Sequence, residues 1–111
     1  MADLEIDTHT DGGVVQFALT GEFDLAGLPG FEERLREVEA EAPAVIVIDL
    51  TGLKFMDSSG LRALVTADAR ARKHERRLAI VPGPPEVRRV FEITKLDTRL
   101  DLIEDASSVV S

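Results

Sequence analysis

The chain has 111 residues, 13 Lys or Arg against 21 Asp or Glu, and a formal charge of −8. That length predicts a single domain over residues 1–111, and the acidic balance argues against nucleic acid or anionic membranes as partners, which such a surface repels at long range. The absence of cysteine removes disulfides, thiolate metal sites and cysteine nucleophiles, and it fits a reducing cytoplasm.

The opening stretch MADLEIDTHTDGG is acidic and lacks the basic head and apolar run of a signal peptide. No window approaches the ~18 apolar residues of a membrane span. Leu4 and Ile6, then Val14, Val15, Phe17 and Leu19, show strand-like alternation around Asp11-Gly12-Gly13, a turn composition suited to positive φ; this predicts an antiparallel hairpin. Leu28, Phe31, Leu35 and Val38 then recur at helical spacing, with Pro29 suited to the first turn, and predict a helix ending near Pro43.

Ala44-Val45-Ile46-Val47-Ile48 is apolar on both faces and reads as the central strand. A loop from Asp49 to Asp57 leads into a second helix with Leu61, Leu64, Val65 and Ala69 inward and Arg62, Thr66 and Arg70 outward. Leu78-Ala79-Ile80-Val81 is a further buried strand. Pro82-Gly83-Pro84-Pro85 breaks the chain before a third helix with Val87, Val90 and Phe91 inward. The stretch around Leu100, Leu102 and Ile103 suggests an edge strand, and the tail a turn or short helix. The order β-β-α-β-α-β-α predicts an α/β fold, a mixed four- to five-stranded sheet with helices packed on at least one face. The basic run Arg70, Arg72, Lys73, Arg76, Arg77 reads as a solvated helix end whose cations suit the dipole.

The chemistry concentrates at Asp57-Ser58-Ser59-Gly60, where the central strand gives way to a helix. Asp57 and Ser58 are both good N-cap residues, yet neither serine has Glu or Gln three residues on, so no capping box accounts for both hydroxyls. A serine nucleophile is poorly supported: Met56 stands where G-x-S-x-G needs its first glycine, and neither His9 nor His74 can be placed beside Ser58. Gly12-Gly13 and Pro82-Gly83-Pro84 lack phosphate-loop spacing. Asp24, Asp49 and Asp57 are better read as caps or surface charges than as cation ligands, so no metal or cofactor is expected.

Three segments together carry a resemblance. Asp49-Leu50-Thr51-Gly52-Leu53-Lys54-Phe55-Met56-Asp57-Ser58-Ser59-Gly60-Leu61, preceded by Leu19-Thr20-Gly21-Glu22-Phe23-Asp24 and followed by Val87-Arg88-Arg89-Val90-Phe91-Glu92-Ile93-Thr94-Lys95-Leu96, closely resembles the STAS domain of bacterial anti-sigma factor antagonists. The resemblance implies a phosphoswitch, not an enzyme. The serine after the motif's Asp, here Ser58, is phosphorylated by an anti-sigma factor that is also a serine kinase of the GHKL type. A PP2C-type phosphatase reverses the modification, and the unmodified antagonist releases the sigma factor by binding the kinase. Asp24, Asp57, Ser59 and Gly60 match the positions around that serine and are carried over as partner-binding residues.

The chain departs from the family pattern in three places. Lys95 stands where glycine often closes the third helix in a left-handed turn, Glu75-Arg76 replaces a glycine-rich turn, and Ala26-Gly27-Leu28-Pro29-Gly30 is unusually rich in glycine. The resulting expectation is a cytoplasmic anti-sigma factor antagonist, monomeric when free. The alternative is a stand-alone STAS subunit of a transport or stress-sensing assembly in which Ser58 is only a cap.

Overall fold

The computed structural model describes residues 3–108. Strands β1 (Glu5–Asp11), β2 (Val14–Phe23), β3 (Val45–Met56), β4 (Arg77–Val81) and β5 (Asp101–Leu102) lie side by side in that order, β1 antiparallel to β2 and every other neighbour parallel. Helices α1 (Leu28–Ala40), α2 (Ser58–Lys73) and α3 (Pro85–Ile93) make the three crossovers. The expected α/β order and mixed sheet are therefore present, with five strands and β3 at the centre.

Because each crossover moves one strand in the same direction, right-handed connections place all three helices on one face. The core agrees: Phe31, Leu35 and Val38 of α1, Leu61, Leu64 and Ala67 of α2, and Val87 and Phe91 of α3 join one cluster with Phe17, Leu19, Ile46, Ile48 and Ile80 of the sheet. The Phe31 ring meets Phe17 edge-on at 5.6 Å and Phe23 at 4.7 Å, tying α1 to both halves of β2. On the other face Val45, Val47 and Val81 form a small second cluster, packed by Val14 and by Ile103 and Ala106 from the C-terminal segment. This explains the two-sided apolar character of β3.

The predicted loop from Asp49 to Asp57 is instead strand as far as Met56. β2 keeps strict alternation of buried residues through Val15, Phe17, Leu19 and Phe23, whereas the buried positions of β3 run Ile46, Ile48, Leu50, Leu53, Met56. Pairing shifts between Ala18 and Thr20 and again between Gly21 and Glu22 give β3 an extra residue each time. Such bulges are rare between parallel strands, and they hide the period of two from a pattern reading. Asp49 supports the first bulge, its carboxylate accepting from the Thr51 N–H at 3.0 Å and from Gln16 Nε2 at 3.2 Å.

Two smaller expectations also change. Ala69 is exposed, and the inner stripe of α2 is completed by Ala63, Ala67 and Ala71. The basic run is not simply solvated: Arg70 donates to Glu39 on α1 at 2.9 Å, Arg72 pairs with Asp68, Arg76 donates to the Pro43 carbonyl and Arg77 pairs with Asp101. The run joins α2 and β4 to their neighbours. Arg77 is held above its ordinary pKa, first by the hydrogen bond to Asp101 and then by that carboxylate's charge.

Candidate functional site

β2 and β3 end abreast, with Phe23 opposite Met56 as their last pair. Asp24 and Asp57 thus leave adjacent strands at the same level, a spacing of about 4.8 Å between strand axes. The Asp57 N–H donates to the Phe23 carbonyl at 3.2 Å, holding the junction to the neighbouring strand.

Asp57 is the N-cap of α2, with extended backbone and Oδ1 accepting from the Ser59 N–H at 2.9 Å and the Gly60 N–H at 3.1 Å. One carboxylate therefore satisfies two of the free donors of the first turn. Ser58 is the first helical residue, exposed, and among the described residues its hydroxyl has no hydrogen-bond partner. The capping interpretation holds for Asp57 and does not extend to Ser58. Ser59 is half-buried, and Gly60 is buried where a Cβ would come within 2.7 Å of the Phe23 carbonyl oxygen. Glycine here lets the first turn of α2 press directly against the end of β2.

Asp24 turns its carboxylate back on its own backbone, accepting from the Ala26 N–H at 3.1 Å as cap of a single 3₁₀ turn over Leu25–Gly27. Asp24, Asp49 and Asp57 are each engaged with separate backbone groups, and among the described residues no group of three or more acidic or histidine side chains is placed to hold a metal ion. His74 is the C-cap of α2, about 24 Å from Ser58 along the helix. His9 is exposed on β1, the strand beyond β2.

The sequence pattern does not single out Leu25 or Phe55, yet these are two of the exposed large apolar side chains, at 68% and 48% exposure. Leu25 follows Asp24, and Phe55 precedes Met56-Asp57 opposite Glu22, so both lie close in the chain to the acidic pair beside Ser58. The signal for Phe55 becomes visible only once the bulges are known, because they place it on the outward side of a strand. The exposed hydroxyl thus has carboxylates and apolar surface nearby, without a histidine in reach.

The STAS domain family model matches residues 5–108. The chain belongs to the STAS domain family. An anti-sigma-B factor antagonist of Staphylococcus aureus is 29% identical to this STAS domain over 94 residues, covering 85% of this chain and 87% of its own. The crystal structure of an anti-sigma factor antagonist from Mycobacterium paratuberculosis matches with a TM-score of 0.88 at 27% identity, covering 96% of this chain and 90% of its own. The Bacillus cell fate determinant SpoIIAA, in its phosphorylated form, shares the fold, with a TM-score of 0.70 at 18% identity over 95% of each chain. The family expected from the three sequence segments is thereby borne out. Among the described residues of this STAS domain, no helix is long and apolar enough to cross a membrane.

Proposed function

We propose that this STAS domain is an anti-sigma factor antagonist, switched off by phosphorylation of Ser58 and restored by a phosphatase. The observation that carries the reading is the free, exposed Ser58 hydroxyl at the start of a helix already capped by Asp57. Its similarity to relatives named anti-sigma factor antagonists supports the reading. The domain acts by binding rather than catalysis, as a cytoplasmic monomer when free, over the single unit of residues 1–111. Its partners are an anti-sigma factor of the GHKL serine kinase type and a PP2C-type phosphatase.

Asp24, Asp57, Ser58, Ser59 and Gly60 form the centre of the partner-binding face, with Leu25 and Phe55 as apolar anchors. A phosphate on Ser58 brings about 1.5 to 2 negative charges beside Asp57 and onto a surface that docking must dehydrate. Burying added charge of this kind at an interface weakens binding by about 2 to 4 kcal/mol, roughly 30-fold to a thousandfold in affinity. Since the Ser58 hydroxyl has no hydrogen-bond partner among the described residues, phosphorylation breaks no side-chain hydrogen bond there.

The test uses wild-type, Ser58→Ala and Ser58→Asp baits in lysate of the source cells, with the captured proteins identified by mass spectrometry. A GHKL-type kinase retained by wild type and Ser58→Ala and lost with Ser58→Asp is the expected result. Capture of the same transporter or scaffold proteins by all three baits, without a kinase, overturns the reading in favour of a subunit role.

A further inference from the structure

Arg62 lies four residues beyond Ser58 on α2, so the two side chains stand one turn apart on the same helix face. Arg62 is exposed. Among the described residues its guanidinium enters no hydrogen bond or ion pair, in contrast to Arg70, Arg72 and Arg77, which pair with Glu39, Asp68 and Asp101. The nearby carboxylates do not occupy it, because Asp57 is committed to the Ser59 and Gly60 N–H groups and Asp24 to that of Ala26. An uncommitted cation therefore stands beside an uncommitted hydroxyl in a strongly acidic chain.

We infer that Arg62 is the counter-ion of phosphorylated Ser58, a positioning residue that holds the phosphate along α2. This rests on Ser58 being the phosphate acceptor. An anion N-terminal to a cation at i, i+4 is the favourable order on a helix, and the guanidinium fork can take two phosphate oxygens at once. Pairing gives the modification a second effect on the docking face. The phosphate adds negative charge, and it also withdraws the Arg62 cation that the unmodified domain presents to a partner carboxylate or phosphate. Arg62 thereby reports the state of Ser58 one turn further along α2, without a change of fold.

The test installs phosphoserine at position 58 during translation and follows the phosphate by 31P NMR against pH in otherwise wild-type protein, Arg62→Gln, Arg62→Lys and Lys73→Gln. A nearby cation favours the phosphate dianion and lowers its second pKa. Arg62→Gln should raise the midpoint by about 0.3, the effect of one exposed i, i+4 ion pair, and Arg62→Lys should restore most of the difference. Lys73 is at the far end of α2, about 22 Å away, and Lys73→Gln should leave the midpoint unchanged. The gap should close in 0.5 M NaCl, where the screening length is about 4 Å. Coincident curves for wild type and Arg62→Gln at low salt, or an equal shift in Lys73→Gln, overturn the inference. Because no kinase installs the phosphate, this outcome is independent of the bait experiment, which alone decides whether Ser58 carries the switch.

Discussion

Gly60 and Gly30 form a matched pair that separates packing from helix propensity. Each is the third residue of its helix, α2 and α1 respectively. Replacing either by alanine should gain about 0.5 to 1 kcal/mol from the smaller backbone entropy of the unfolded chain. At Gly30 a Cβ meets nothing within 4 Å, so the gain is realised. At Gly60 a Cβ falls 2.7 Å from the Phe23 carbonyl oxygen and 2.9 Å from both Met56 Cγ and Phe23 Cγ. The Phe23 ring cannot give way easily, being fully buried with Phe31 at 4.7 Å, and its carbonyl accepts the Asp57 N–H. Overpacking of this kind costs about 1 to 3 kcal/mol, and a strained Asp57–Phe23 hydrogen bond about 1 more. The net expectation is about 1 to 3 kcal/mol of destabilisation for Gly60→Ala. In a domain of this size 1 kcal/mol moves the midpoint by about 4 °C, so Gly60→Ala should melt about 4 to 12 °C lower, and Gly30→Ala about 2 to 4 °C higher. Thermal denaturation followed by circular dichroism measures both. A Gly60→Ala protein as stable as wild type would refute the claim that glycine is there for close approach.

Asp57→Ala should cost about 1 to 2 kcal/mol, because the buried Gly60 N–H loses its acceptor along with that of Ser59, while Asp57→Asn should lose much less; urea denaturation distinguishes them. Lys95 adopts φ +62°, a left-handed conformation that suits glycine. Lys95→Gly should therefore stabilise by about 0.5 to 1 kcal/mol, and an unchanged or lower urea midpoint would contradict this. The exposed Arg77–Asp101 pair spans 2.8 Å between β4 and β5, and Arg77→Gln should cost no more than about 1 kcal/mol. Since Asp101 raises the pKa of Arg77, the guanidinium's contribution is fully present below arginine's ordinary pKa and is lost only as pH rises through the raised value. The deficit of Arg77→Gln should thus be the same at pH 7 and pH 9 in parallel urea titrations.

Where the chain obeys one period, its sequence is readable: the hairpin, the three helices and the core of β3 follow from alternation or helical spacing. The long second half of β3 does not, because two bulges turn the buried spacing of two into three at Leu53 and Met56. Thr51-Gly52 then resembles loop composition. On α2 the error at Ala69 has a different origin, since alanine suits either face and only the close packing of α2 selects Ala63, Ala67 and Ala71. The departures at Lys95 and Glu75 change composition and not conformation, for both residues take the positive φ that glycine would favour. At the site, residue types narrowed the cap to Asp57 or Ser58. Only the geometry assigns it to Asp57 and leaves the Ser58 hydroxyl available.

The same bulges that obscure β3 also build the site. They give β3 two residues more than the stretch of β2 it pairs with, so Met56 draws level with Phe23 and Asp57 leaves the sheet beside Asp24. The platform is then fixed by contacts that exclude Ser58: the Asp57–Phe23 hydrogen bond, the Asp57 cap and the approach of Gly60 to Phe23. A group added to the Ser58 oxygen meets none of these restraints. A phosphate there would break no side-chain hydrogen bond among the described residues and so has no built-in route to unfold α2, and under the proposed switch it acts on a partner through its charge. On that argument the difference in partner binding between phosphorylated and unmodified domain should shrink with salt, while the stability of the free domain should hardly register the modification.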